Sequence, residues 1–196
     1  MANSDIVSGF RPVGHLLGAA WSGKANVYYI PVTNATALFK GDAVKLTGTA
    51  DVTGKYPGVV QVGGGDETVL GVIIGFGEDP HTMIKADSPY RVHCPISTEM
   101  YCLVVDDPFV IFEIQEDSVG GAMAVTAVGN SVDIVVGDGS TTTGKSGMEL
   151  DSNTATDGAA TCKLLRRVDR EDNALGDHCK WEVTIIEHQM LTSTGV

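Results

Sequence analysis

The sequence predicts an all-β protein, a β-sandwich or barrel of many short strands with an extended N-terminal arm. Apolar and β-branched residues fall into short runs of roughly five to eight residues, which is the usual length of a strand. Glycine occupies 24 of the 196 positions and, with other turn residues, separates these runs. No segment longer than about ten residues keeps a helical period, so neither a helix bundle nor an α/β fold is expected.

We divide the chain into an N-terminal arm, residues 1–25, and a β-rich body, residues 26–196. The first 25 residues are rich in Gly and Ser, and their few large side chains follow no period. This pattern is typical of an extended segment whose apolar anchors dock on another subunit. The alternative is that the stretch contains the first strand of the body's own core. The predicted interface residues are Phe10, Arg11, Leu16, Leu17, Trp21 and Lys24.

Strands of the body are expected where apolar runs lie between turn residues. Residues 63–66, Gly-Gly-Gly-Asp, are expected to close a hairpin between two of these strands. The segment SVGGAMAVTAVGN has room for one helical turn, since its glycines oppose a longer helix. The candidate strands are NVYYIPV, LFKGDAVKLTG, KYPGVVQV, TVLGVIIGF, SVDIVVG, GMELD, TCKLLRRVD and KWEVTIIEHQM.

The densest apolar stretch, YCLVVDDPFVIFEIQED at Tyr101–Asp117, predicts a pair of buried strands. Asp106, Asp107 and Pro108 part them, because proline ends a strand and short acids bond to turn amides. In the second strand, one face would be core and the other, which includes Glu113, mostly polar. Adjacent residues of a strand point to opposite faces, so the two aspartates are not expected to act on one substrate. We interpret them as architecture rather than as a catalytic pair.

Composition excludes several classes of protein. The formal net charge is −12, and 16 of the 25 acidic residues lie in the second half of the chain. Such a chain repels phosphate backbones, so nucleic acid is not expected as a partner. No apolar run approaches the ~20 residues of a membrane-spanning helix. The start, MANSDIVSGF, has no basic segment followed by an apolar core, so we expect no secretory signal and no membrane partner.

The four cysteines are expected to be free structural thiols. The pairs His93-Cys94 and His178-Cys179 invite comparison with a zinc site, but their spacing matches no ordinary zinc pattern. We therefore predict no metal.

Residues 139–146, GSTTTGKS, satisfy the phosphate-binding pattern G-x-x-x-x-G-K-[ST]. That loop works because a helix begins at its end and supplies amides and a positive dipole. Here Gly147 follows at once and a polar, helix-free stretch comes soon after. We interpret the motif as a surface loop and expect no nucleotide cofactor. Ser22 and Ser146 lie outside the G-x-S-x-G pattern of hydrolases. We expect that the chain is not an enzyme. The alternative is a hydrolase that uses residues 139–146 for a nucleotide or the acids of residues 106–117 for catalysis.

The chain resembles, in order and over nearly its whole length, the head decoration or capsid cement proteins of tailed bacteriophages. The motifs that carry this resemblance are the GFRPVGH start, Tyr29-Ile30, Leu38-x-x-Gly41-Asp42-x-Val44, Gly71-Val72 with Gly75-Phe76, Val104-x-Asp106-Asp107-Pro108, Phe112-Glu113-Ile114-Gln115-Glu116-Asp117, Gly144-x-Ser146-Gly147-x-Glu149-Leu150-Asp151, and Trp181-x-Val183 with His188.

The resemblance implies a β-rich homotrimer that is made in the host cytoplasm and seated on the outer surface of an icosahedral head. There it would bridge capsomers of the major capsid protein at threefold and quasi-threefold positions. The family has no catalytic residues to carry over. A fibre or receptor-binding module of the virion is the alternative, although the chain has few aromatic residues in its expected loops.

Overall fold

The computed structural model describes residues 3–65, 67–81, 91–155 and 160–192, and within them the chain is all-β, as predicted. Two one-turn 3-10 helices, Val125–Ala127 and Ser152–Thr154, accompany the strands. The first falls in the segment for which one helical turn was predicted. The strands are β1 (Arg11–His15), β2 (Asn26–Ile30), β3 (Leu38–Phe39), β4 (Ala43–Ala50), β5 (Pro57–Gln61), β6 (Gly71–Gly77), β7 (His93–Cys94), β8 (Met100–Val105), β9 (Val110–Gln115), β10 (Ser131–Val132), β11 (Ile134–Val135), β12 (Glu149–Leu150), β13 (Cys162–Arg167) and β14 (Lys180–Ile185).

Two structures account for most of the strands: a closed barrel, in the order β2-β5-β4-β6-β8, and an antiparallel sheet, in the order β1-β9-β14-β13-β10. The pairs β3-β7 and β11-β12 form two smaller ladders. Closing the barrel leaves it without free strand edges, whereas the open sheet has β1 and β10 at its edges.

The two structures share a core. The barrel interior holds a compact apolar cluster that includes Ile30, Ile73 and Met100. A larger cluster combines barrel residues such as Val72 with sheet residues such as Trp181. Alternation explains this division, because neighbouring residues of β6 point in turn into the barrel and towards the sheet. The barrel and the sheet are therefore packed on each other.

The stretch Tyr101–Asp117 does not form a pair of strands hydrogen-bonded to each other. Its first strand, β8, belongs to the barrel and its second, β9, lies in the five-stranded sheet. The intervening acids and Pro108 therefore join two layers. A similar correction applies at residues 63–65, because β5 and β6 each pair with β4 and not with each other. Asp66, the last residue of that predicted hairpin loop, lies outside the described residues.

Strand β9 is buried on both faces, including the face that was predicted to be mostly polar. Glu113 is 8% exposed and Gln115 is 3% exposed. Glu113 lies opposite Arg11 of β1 and forms ion pairs with Arg11, at 2.5 Å, and with Arg170, at 2.9 Å. A charge can be buried at this position because neighbouring cations compensate it.

The first 25 residues are not an extended arm throughout. Arg11–His15 form β1, an edge strand paired with β9, and Phe10 is buried among core residues. The ring of Phe10 meets that of Phe112 edge-on, with centroids 5.8 Å apart. The alternative, a first strand of the body's own core, describes these residues correctly. The sequence did not reveal it because β1, RPVGH, lacks the apolar alternation of a typical strand.

None of the helices in the described parts of the chain has the length and apolarity that crossing a bilayer requires.

Candidate functional site

Asp106 and Asp107 bond to different elements and fix the crossover between the barrel and the sheet. Asp106 accepts hydrogen bonds from the side-chain amide of Asn26 and, at 2.6 Å, from the hydroxyl of Tyr28, both on β2. Asp107 lies 3.2 Å from Nε2 of His15, at the end of β1, and accepts a bond from the amide of Phe109. The two carboxylates therefore anchor separate strands, as the architectural interpretation predicts.

The loop 139–146 lacks the geometry of a phosphate-binding loop. The segment that follows it leads into the two-residue strand β12 and not into a helix. Several of its backbone amides are occupied within the chain: Ser140 donates to the carbonyl of Lys145, Gly144 to that of Ser140, and Ser146 to that of Lys40. A phosphate would need such amides free and convergent. The side chain of Lys145 is exposed all the same.

All four cysteines are free and buried. Burial raises the pKa of the Cys179 thiol to about 11 and that of Cys94 to about 12, and it raises the pKa of Cys102 and Cys162 further still. The thiols therefore stay protonated and act as small apolar core groups.

Within the described residues, the side chains close enough to share a cation are Asp5, Glu149 and His178, with their candidate ligand atoms within 4.8 Å of one another. None is a cysteine. Gln115 donates its amide to both Asp5, at 2.9 Å, and Glu149, at 3.0 Å, and this accounts for the proximity of the two carboxylates. Burial, helped by the charges of Asp5 and Asp117, raises the pKa of Glu149.

The structure separates the predicted interface residues into two groups. Phe10 packs inside its own chain, which is a correction, because a buried side chain cannot anchor another subunit. Trp21 is half-buried and packs against the same core. Leu16, Leu17 and Lys24 are exposed. Arg11, which was also predicted to lie at the interface, is exposed and bound to Glu113.

An exposed apolar cluster forms where β1 ends. Leu16 donates its amide to the carbonyl of Phe109 at 2.8 Å, and the ring of Phe109 lies against His15. Leu17 is 82% exposed, and Leu16 and Phe109 are each nearly half exposed. We call Leu16, Leu17 and Phe109 the apolar tip. Phe109 was not among the predicted interface residues, because 92 or more residues separate it in sequence from the other two.

A second feature that sequence reasoning missed is a groove between the barrel and the sheet, about 650 Å³ in volume. Its basic side chains come from separate segments of the chain, so no single local motif contains all of them. They are Arg11, Lys40, Lys145, Arg170 and Lys180.

Asp42 is a buried acid in the turn between β3 and β4. Its Oδ2 accepts hydrogen bonds from the amide of Phe39, at 2.8 Å, and from Gln61, at 3.0 Å. Oδ1 has no bonded partner, although Ser146 lies near enough to favour the charged form. Burial outweighs these contacts and raises the pKa of Asp42 to about 6.

The raised pKa of Asp42 predicts a pH-dependent contribution to stability. Between its unfolded value of 3.8 and about 6, the folded state binds more protons than the unfolded state, so this contribution falls as pH rises. As pH rises across that window, we expect the free energy of unfolding of Asp42→Asn to rise by roughly 1–3 kcal/mol relative to that of the unmutated protein. Urea unfolding at intervals from pH 4 to pH 7 measures the difference.

The control for this prediction is Asp169→Asn, which changes the same charge at a fully exposed side chain. Its difference in unfolding free energy from the unmutated protein should stay nearly constant with pH. If the difference for Asp42→Asn is equally constant, burial does not raise the pKa of the Asp42 carboxyl.

No protein-family model, curated protein or solved structure matches this chain.

Proposed function

We propose that this chain is a structural protein of a tailed-phage virion that decorates the outside of the capsid as a homotrimer. The observation that carries the proposal is where the residues of the resemblance lie. Many of them build the scaffold: Asp42, Phe112, Glu116, Trp181 and His188 are all buried. Residues shared in a core reflect packing, so they support a common fold, and the structural role proposed here is the one that the resemblance implies.

The apolar tip is the surface best suited to contact another subunit. Leu16 and Leu17 follow the edge strand β1, the backbone of Leu16 is hydrogen-bonded to that of Phe109, and all three apolar side chains are exposed. Grouped apolar side chains on a surface mark interaction sites more often than scattered ones do. Under this proposal the tip joins copies of the chain into a trimer, and many such trimers stabilise the head by avidity.

The mass of the assembly and its binding to heads test the proposal. We expect the purified protein to have three times the 20.5 kDa mass of its chain and to cosediment with expanded, DNA-free heads of the phage that encodes it. Leu17→Glu places a charge in the apolar tip and should convert trimers to monomers. Because this side chain is largely exposed, its replacement should leave the fold intact.

Val52→Glu is the matched control, since Val52 is 99% exposed in the turn between β4 and β5. It should leave both the mass and the cosedimentation unchanged. A monomeric unmutated protein that does not cosediment with heads contradicts the proposal. Binding to a glycan array without binding to heads would instead favour a fibre or receptor-binding module.

A further inference from the structure

The groove between the barrel and the sheet is a basic strip on an acidic protein. Five of the chain's 13 Lys and Arg residues line it, against two carboxylates among its described lining residues, Glu113 and Asp172. The rest of the sequence has 23 acidic residues and eight basic ones. The groove therefore concentrates positive charge on a chain that is negative as a whole.

The lysines of the groove differ from its arginines in their ion pairs with the described residues. Arg11 and Arg170 both bind Glu113, and Arg170 also binds Asp172 at 3.1 Å. The three lysines Lys40, Lys145 and Lys180 form no ion pair with any described residue. Their charges remain available to an external partner.

Lys40 and Lys145 lie directly opposite each other. The backbone amide of Lys40 donates to the carbonyl of Gly144, and the carbonyl of Lys40 accepts from the backbone amide of Ser146, both at 2.9 Å. The two backbones therefore form a parallel bridge between Lys40 and Lys145. Two like charges placed opposite each other on adjacent strands are destabilising. A bound anion would relieve that repulsion.

Glycines hold the backbone of these lysines in place. At Gly144, a Cβ would come within 2.3 Å of the carbonyl oxygen of Val92, and φ is +71°. At Gly41, next to Lys40, a Cβ would come within 2.6 Å of the carbonyl oxygen of Ser8, and φ is +97°. The paired lysines are therefore fixed by tight backbone packing rather than presented on a free loop.

The chemistry of the groove favours carboxylates on a polypeptide over phosphate. The amides of Gly144, Lys145 and Ser146 all donate to other residues of the chain. Beside Lys145 the groove therefore offers side-chain cations rather than the converging backbone donors of a phosphate-binding loop. Ile6, Pro12 and Ile74 line the same groove and add apolar surface. Acidic and apolar side chains of an extended peptide would match both kinds of lining.

We propose that this groove binds a carboxylate-rich segment of a partner polypeptide, with Lys40 and Lys145 as its principal contacts. The inference does not depend on the capsid proposal, and the groove shares no lining residue with the apolar tip. Each lysine pairs with a side-chain carboxylate, while Lys180 and the two arginines extend the positive field along the groove.

Fluorescence anisotropy of a fluorescein-labelled oligoglutamate peptide, titrated with the full chain, tests this inference. We expect saturable binding that weakens when NaCl is raised from about 50 to about 300 mM. Lys40→Glu combined with Lys145→Glu should weaken binding by roughly tenfold or more. Lys40→Gln combined with Lys145→Gln should weaken it less, because charge is removed without being reversed.

The matched control is Lys55→Glu combined with Lys163→Glu, which changes net charge equally at two lysines outside the groove. It should retain binding within about twofold. Equal losses in both double variants, equally tight binding of an oligoglutamine peptide, or no binding by the unmutated protein would overturn the inference. Complete competition by millimolar inorganic phosphate would also overturn it, in favour of a small-anion site.

Discussion

Replacing Trp181 with alanine is expected to lower the free energy of unfolding by about 3–5 kcal/mol. Trp181 on β14 is completely buried in the core between the barrel and the sheet. Its Nε1 donates to Oε2 of Glu116 at 3.1 Å, and the amide of Met123 donates to the same oxygen at 3.0 Å. Truncation would thus open a cavity and also remove a donor from a fully buried carboxylate. Equilibrium unfolding in urea, with the two-state slope checked, measures the loss.

Two comparisons separate the causes of this loss. Trp181→Phe fills most of the volume but leaves Glu116 without the indole donor, so it should cost roughly 1–3 kcal/mol. Trp21→Ala removes the chain's other tryptophan, which is only half-buried, and should cost less than Trp181→Ala. Equal losses at the two tryptophans would contradict the central position of Trp181 in the core.

Deleting residues 1–24 is expected to destabilise the body, and not merely to remove an appendage. The deletion takes away Phe10, a side chain worth about 3–5 kcal/mol at a buried position. It also removes β1, which exposes an edge of β9 and deprives Glu113 of its partner Arg11. We expect a marked fall in the urea midpoint, or failure to fold.

Deletion of residues 1–8 is the matched control, because it keeps Phe10 and β1. It breaks the exposed bonds from Asn3 to the carbonyls of Ala174 and Asp177 and two part-buried bonds that Gln115 makes with Ile6 and Asp5. Its loss should still be smaller, since the buried ring of Phe10 and the pairing of β1 with β9 remain. Phe10→Ala in the full chain should reproduce much of the effect of the longer deletion. If the two deletions unfold at the same urea concentration, residues 9–24 contribute nothing to the stability of the body. Leu17→Glu therefore probes an interface more cleanly than removal of the first 24 residues.

The acids of the chain show how far sequence reasoning about the candidate site extends. The structure places Asp106 and Asp107 in the connection between β8 and β9 and not on a strand, and each bonds to a different element. The sequence predicts no helix after Lys145, and the two-residue strand β12 follows there. The missing helix depends on residues within a few positions of the motif, whereas the partners of the two aspartates lie 78 and 92 residues away in sequence.

Strand pairing was beyond the reach of the sequence. Alternation indicates where β8 and β9 begin and end, but a strand's period is the same in a barrel and in an open sheet. Which strands pair depends on contacts between distant residues, such as Arg11 with Glu113. For the same reason, the basic groove could not be seen: Lys40, Lys145 and Lys180 become neighbours only after the barrel packs on the sheet.

The sequence by itself determined the all-β class, because that class follows from the short-range periodicity and turn chemistry of each segment. It also determined the acidity of the chain, which is a sum over residues. Only the tertiary structure decided that Phe10 belongs to the core, that β9 is buried on both faces, and that Leu16, Leu17 and Phe109 form one exposed tip. Burial depends on which other residues cover a side chain. For these residues the covering or neighbouring groups come from distant parts of the chain.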